Sequence, residues 1–336
     1  MGWGLRIAAG GLVLVAGSAA LAWYAAVWAQ SAIAAPGPLK EPAAVVIPRG
    51  GGTETIAVTL MQAGVIDNPL LFTVAAKIHG PRRDLKAGEF IFPAGISVAG
   101  ALDLLRQGKP VIHKLTVPEG LTSQQVVGLL TANPILSGTV EGRPADGTLL
   151  PETYHFSFGE SRAALLARMK TAMDQALADA WKSRAPDLPL ASPAEALVLA
   201  SVVEKETGLA AERPRVAGVF VNRLRTGMKL QSDPTVIYAL TKGESEFTRP
   251  LSRADLKLES PYNTYVAPGL PPGPITNPGR AALQAATQPE KHEYVYFVAD
   301  GTGGHAFAKT LADHNRNVTR WREGQKTGQS AETPPE

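Results

Sequence analysis

Hydrophobic residues dominate the start of the chain. The stretch "IAAGGLVLVAGSAALAWYAAV", Ile7 to Val27, carries no charge, and none follows before Lys40. About 20 apolar residues in a helix span a bilayer. Trp3, Trp23, Tyr24 and Trp28 lie near its two ends, as an aromatic belt would. Beyond a Pro/Ala-rich linker the pattern changes. "VIPRGGGTETIAVTLMQAGVI" from Val46, "IFPAGISVAGALDLLRQGK" from Ile91 and "TVPEGLTSQQVVGLLTANPIL" from Thr116 each run apolar, Pro, any residue, Gly, then Ser or Thr, then helix-spaced apolars. A strand ending at a Pro-x-Gly turn and a helix capped by Thr53, Ser97 or Thr122 account for this pattern.

Longer helical periods follow. In "SRAALLARMKTAMDQALADAWKSRA", Leu165, Met169, Met173 and Leu177 form a core-facing stripe. "SPAEALVLASVVEKETG" begins with Ser192, Pro193 and Glu195, a capping pattern with proline at the first helical position. This helix is apolar nearly all round, which predicts burial. Thr207 and Gly208 end it. The next helix carries Val216, Val219, Phe220 and Leu224 inward and stops near Gly227. "YVYFV" followed by Asp300-Gly301 reads as a strand entering a hairpin turn.

The predicted fold class is α+β: a single N-terminal transmembrane helix, a small strand-helix module and a mixed α/β catalytic domain. The expected divisions are 1–30 for the cytoplasmic tip and membrane helix, 31–45 for the linker, 46–117 for the module, 118–322 for the catalytic domain and 323–336 for a disordered tail. Arg6 and the terminal amine precede the apolar segment, which places the N-terminus in the cytoplasm and the body outside the inner membrane. A cleaved signal peptide ending at Ala34 or Ala35 is the alternative, but its apolar region is usually shorter. The module reads either as a plain α+β unit or as a LysM-type unit that grips amino-sugar polymers.

Composition narrows the chemistry. The 336 residues include 33 basic and 30 acidic side chains, so charge does not point to nucleic acid. There is no cysteine, which excludes thiol catalysis and disulfides. The six histidines form no compact ligand set, so no metal or other cofactor is expected. "ADGTGGHAF" lacks the GK[ST] of a phosphate loop, and His305 within it reads equally as structural or cleft-lining.

Glu204 is the conspicuous residue. It sits on the last turn of the predicted buried helix, where the helix dipole and burial both favour the protonated acid. A proton-holding carboxyl suits a general acid. An ion pair with Arg213, Arg215 or Arg223 is the structural alternative. Glu206 falls roughly 200° away around the helix. Uncharged polar and aromatic residues follow: Asn222, Gln231, Ser232 and Asp233, Tyr238, then Tyr262, Asn263, Thr264 and Tyr265 beside a proline-glycine loop. Amides, hydroxyls and aromatic faces of this kind bind sugars.

"LASVVEKETG", "VFVNRLRTGMKLQSDPTVIYAL", "LSRADL", "SPYNTYVAPGLPPGPITNPG" and "YVYFVADGTGGHAFAKTLADHN" resemble the MltG (YceG-like) family of endolytic murein transglycosylases. The resemblance covers nearly the whole chain. It implies cleavage of the MurNAc–GlcNAc β-1,4 bond in nascent peptidoglycan strands, leaving 1,6-anhydro-MurNAc ends and stopping elongation. It implies glycan strands and the inner membrane as partners, with peptidoglycan synthases as further candidates. The family's catalytic glutamate maps to Glu204. Two other readings stay open: a hydrolase with Glu152 or Asp233 as second carboxylate, and a non-catalytic wall-binding scaffold.

Overall fold

The computed structural model describes residues 2–78 and 85–331, with side chains described for 16–78 and 85–324. The chain divides into two compact units. One comprises Met1–His113 with His155–Gly159, the other Lys114–Tyr154 with Glu160–Glu336.

The first unit begins with α1 (Gly2–Ala34), followed by β1 (Ala43–Ile47), α2 (Thr53–Gln62), α3 (Pro69–Ile78), β2 (Gly88–Phe92) and α4 (Val98–Gln107). β1 and β2 pair antiparallel, with Val45 opposite Phe90. Val45, Ile47, Phe90 and Phe92 point into the core, while Ile91 faces solvent, as the two-residue strand period requires. Phe72, Leu60 and Leu105 fill the space beneath them from the three helices. Next come β3 (Ile112–Thr116) and β4 (Thr153–Ser157), which form a separate two-stranded sheet.

The second unit is mainly helical. Its elements are α5 (Ser123–Ala132), α6 (Arg162–Lys182), α7 (Pro193–Glu206), α8 (Arg213–Arg225), α9 (Asp233–Thr241), a 3-10 turn (Asp255–Lys257), α10 (Arg280–Thr287), the antiparallel hairpin β5 (Tyr296–Ala299) and β6 (His305–Ala308), and α11 (Leu311–Ala331). α7 lies at the centre, packed on α6, α8 and α10. Leu199, Val202 and Val203 meet Phe220, Leu283 and Met173 there. The absence of a polar face on α7 is thus explained by neighbours on several sides.

Local capping follows the sequence at Ser97, Thr122 and Ser192, whose side chains each accept a backbone N–H from the first turn, and Ser161 caps α6 in the same way. Three expectations need correction. Thr53 is not the cap of α2: Gly52 takes that position in extended conformation after a glycine-rich turn. The 31–45 stretch is not a free linker. α1 runs on to Ala34, Ile33 is buried, Leu39 packs on the same core, and the Gly95 N–H donates to the Leu39 carbonyl. Its few apolar side chains find apolar partners. Residues 323–331, expected to be disordered, continue α11, since extending a formed helix is cheap and the first proline comes only at Pro334.

Among the described residues no helix is long and apolar enough to cross a membrane. The side chains of residues 7–15, the first part of the apolar segment, lie outside the described residues. Trp23, Tyr24 and Trp28 on α1 are exposed.

The seating of the 35–42 stretch is testable at Gly37. A Cβ there would lie 2.3 Å from the Ile96 carbonyl oxygen and 2.8 Å from that of Val65. Gly37→Ala should destabilise the first unit by about 1–3 kcal/mol through overpacking. A urea unfolding curve with an unchanged midpoint would show that this stretch is not seated.

Candidate active site

Burial of α7 carries Glu204 inside with it. The residue is 8% exposed. Its Oε2 accepts the backbone N–H of Gly279 at 2.8 Å, and its Oε1 accepts from Arg213 Nη2 at 3.2 Å. Gly279 is the N-cap of α10, so the C-terminal turn of one helix meets the N-terminus of another at this carboxyl. Burial pushes the Glu204 carboxyl upward, against the lowering effects of the Gly279 N–H and the Arg213 guanidinium; Glu119 adds to the rise and Lys205 opposes it. The net displacement is upward. The ion pair expected as one reading of Glu204 is present, and the pairing cation is Arg213. Arg215 binds Glu290 instead, and Arg223 donates to the carbonyls of Leu230 and Val295.

Glu119 was not among the sequence candidates. It lies in the Pro-x-Gly turn after β3, where Gly120 adopts φ +77°. Two loops run together here: the Gly120 N–H donates to the Asn277 carbonyl and the Asn277 N–H to that of Leu121. Their pairing sets Glu119 against Gly279. Glu119 Oε2 accepts from the same Arg213 Nη2 at 3.1 Å. Asn277, fully buried, binds Leu149 N–H, the Leu121 carbonyl and Ser123 Oγ, fixing the loop pair to the core.

A cleft of about 380 Å³ opens beside this group, lined by Gly120, Thr122, Gln125, Lys205, Tyr238, Phe247 and Ile275, among others. A Cβ on Gly120, which lines this cleft, would sit 3.8 Å from Glu204 Cγ. A second cleft of about 560 Å³ is lined by Arg143, Asp146, Tyr238, Ser260 and Tyr262. Tyr238 belongs to both. Its ring lies 4.8 Å from that of Tyr262, and its hydroxyl donates to Asp146 at 2.7 Å. Mostly apolar walls with paired aromatic rings and a few polar side chains suit the C–H faces and hydroxyls of a sugar chain.

The YceG-like family model matches residues 45–320. The chain belongs to the YceG-like family. It is 32% identical over 317 residues to the endolytic murein transglycosylase of Streptococcus pneumoniae serotype 2, an alignment covering 81% of this chain and 57% of that relative. The chain thus spans little more than half the length of that protein. It is 29% identical to the endolytic murein transglycosylase of Bacillus subtilis, over 80% of this chain and 82% of that one. A crystal structure of a YceG-like protein from Listeria monocytogenes is 32% identical with a TM-score of 0.50, covering 82% of this chain and 99% of the other.

In this YceG-like chain the residues read from sequence separate into groups. Tyr238 and Tyr262 line the clefts, and Glu204 is buried next to Gly120, which lines the first of them. Asn222 is elsewhere: its amide donates to the carbonyls of His292 and Tyr294, beside another cavity of about 380 Å³ whose lining includes Arg225 and Lys291. Asn263 is fully buried and donates to the carbonyls of Leu256 and Leu258. Thr264 is buried against Thr235 and the Ser232 N–H. Gln231 is exposed at φ +50°, and Tyr265 donates to Asp233 at 2.6 Å. The sequence reading named Arg213 only as one of three possible ion-pair partners, and missed Glu119 and Gly279. A glutamate within a turn motif gave the only signal, and it reads locally as solvent-exposed. His305 is tied by its Nδ1 to Glu212 at 2.7 Å, under the β5–β6 hairpin.

Glu206 points away from Glu204, as the helical period requires, but not into open solvent. Protein atoms crowd its carboxyl, which accepts from Ser232 Oγ at 2.5 Å. Burial pushes it up to about 7, with Ser232 opposing, Asp233 adding and Arg223 opposing. The folded protein therefore holds a proton there over a range in which the unfolded chain has released it. Stability should fall as pH rises from about 4.5 to about 7, by up to roughly 3 kcal/mol. Glu206→Gln should remove that decline, so melting curves collected across this range should show the variant gaining on the parent as pH rises. A difference that does not vary with pH would refute this.

Proposed function

We propose that this chain is a peptidoglycan lytic transglycosylase acting within nascent glycan strands, with Glu204 as both general acid and general base. The observation that carries the reading is the buried Glu204 carboxyl, held on both oxygens yet pushed toward its protonated form, next to the Gly120 edge of a cleft that also bears Tyr238 and Phe247. The named activity of the Streptococcus and Bacillus relatives supports it.

The chemistry follows from one carboxyl. Glu204 gives its proton to the oxygen of the MurNAc–GlcNAc β-1,4 bond as the C1–O bond breaks. The C6 hydroxyl oxygen of the same MurNAc bonds to C1, and its proton passes to the Glu204 carboxylate. The acid is regenerated, no water is consumed, and a 1,6-anhydro end is left. The nucleophile is intramolecular, so orientation replaces the activated water and second carboxylate of a hydrolase. Glu152 and Asp233, the candidate bases for hydrolysis, are held by Arg280 and Tyr265.

The same reading places the body of the protein outside the inner membrane, with residues 1–30 as a single-pass anchor and the N-terminus in the cytoplasm. The long apolar segment and the exposed Trp23, Tyr24 and Trp28 support this. The strand-helix-helix-strand unit of β1 to β2 supports a LysM-like role for residues 46–117 in holding glycan, with 118–322 as catalytic domain. Synthases that extend the strands are the natural partners of an enzyme that ends them.

Glu204→Gln should reduce release of anhydro-muramyl products by at least about 10²–10⁴ while the melting temperature stays close to the parent's. Mass spectrometry of digested strands reads the outcome. Reducing ends would mean hydrolysis, and unaltered anhydro production by the variant would remove Glu204 from the reaction. N-terminal sequencing of the membrane fraction checks the anchor: a mature chain beginning at Ala35 or Pro36 would refute it.

A further inference from the structure

The Glu204 carboxyl shares its cation. Arg213 Nη2 lies 3.2 Å from Glu204 Oε1 and 3.1 Å from Glu119 Oε2, so one nitrogen serves two carboxylates on different elements. Glu119 is 40% exposed at the side chain, whereas that of Glu204 is 3% exposed, so the two differ sharply in access to solvent. The fit is specific to glycine at 279. A Cβ there would fall 1.8 Å from Glu119 Oε1, although Gly279 has φ −78° and ψ 173°, a conformation any residue adopts. Glycine is therefore required for room and not for backbone freedom, and the room is occupied by Glu119.

We propose that Glu119 is a second functional carboxylate of this site, a positioning residue that divides Arg213 with Glu204 and so governs how firmly the guanidinium engages the catalytic carboxyl. The inference rests on Glu204 being the acid–base. A guanidinium given wholly to Glu204 would hold it as a carboxylate, unable to donate. Competition from Glu119 loosens that hold, and its negative charge favours the protonated acid. Once Glu204 has given its proton, the same guanidinium is at hand to stabilise the carboxylate until the C6 hydroxyl returns one. The remaining groups facing Glu204 are Lys205 on α7 and the Gly279 N–H at the start of α10, and both favour the charged form. The adjacent Arg280 is engaged by Glu152 at 2.6 Å. Glu119 is thus the group that opposes three others.

The test is the pH dependence of kcat/KM on polymeric peptidoglycan, whose alkaline limb reports the general acid of the free enzyme. Glu119→Gln should keep making anhydro ends, with that limb displaced to lower pH by about one unit, the scale of a neighbouring charge. Glu119→Asp should restore part of the displacement. Gly279→Ala retains both the carboxylate and the backbone N–H but evicts Glu119, and should move the limb in the same direction. A lower rate with the limb in place would make Glu119 a structural filler and overturn the proposal. So would a switch to reducing ends, which would make it a water-activating base, or a limb displaced to higher pH. Failure of the Glu204 assignment is separately visible, as Glu204→Gln would then still turn over.

Discussion

Two helix ends converge on one carboxyl, and the rest of the second unit is arranged around that meeting. The C-terminal turn of α7 presents Glu204, and the N-terminus of α10 receives it through the Gly279 N–H. The two helix dipoles act in opposite directions on this group, the first favouring the acid and the second the carboxylate. Burial decides between them. A carboxyl so placed is pushed toward its protonated form while both of its oxygens still accept hydrogen bonds.

The balance depends on packing that is remote in sequence. α7 is buried on several sides, so its position is set by Phe220, Leu283 and Met173 and not by solvent. Ser201, one turn before Glu204, accepts the Ile275 N–H and so fixes the segment that leads into α10. Asn277 ties that segment to Leu121 and Leu149. Removing such a buried amide would leave several groups unpaired at a cost of about 1–3 kcal/mol each. The polar residues around the site are thus mostly invested in holding loops, and few are free to meet a ligand.

That division explains what the sequence could and could not reveal. The apolar surround of α7, its Ser192 cap and the intrusion of Glu204 are local patterns, so they were legible. So were the strand-turn-helix units around β1–α2 and β2–α4, while α3 went unread, the cap of α2 was set one residue late at Thr53, and the seating of residues 35–42 gave no signal because its apolar residues are sparse. Asn263 and Thr264 read as sugar ligands because a buried loop and a binding loop use the same side chains; only the partners, Leu256, Leu258 and Thr235, tell them apart. Glu119 and Arg213 were invisible as a pair, since 94 residues separate them and nothing local foretells that both reach Glu204.

The motif Glu204-Lys205-Glu206 shows how a short polar run is used at a helix end. Each side chain leaves α7 in a different direction and each is engaged: Glu204 by α10 and Arg213, Lys205 near the Gly120 carbonyl at 3.5 Å, Glu206 by Ser232. The last turn of a helix lacks onward backbone partners and frays easily. Here three side chains anchor the turn instead, to four separate segments. Glu206 adds a constraint of its own, because Ser232 follows the left-handed Gln231 and precedes α9, which carries Tyr238 to the clefts. The Glu206–Ser232 bond therefore links the turn that bears Glu204 to the helix that bears Tyr238, so the spacing between the buried carboxyl and the aromatic wall of the clefts is set in part by a second carboxyl on the same turn.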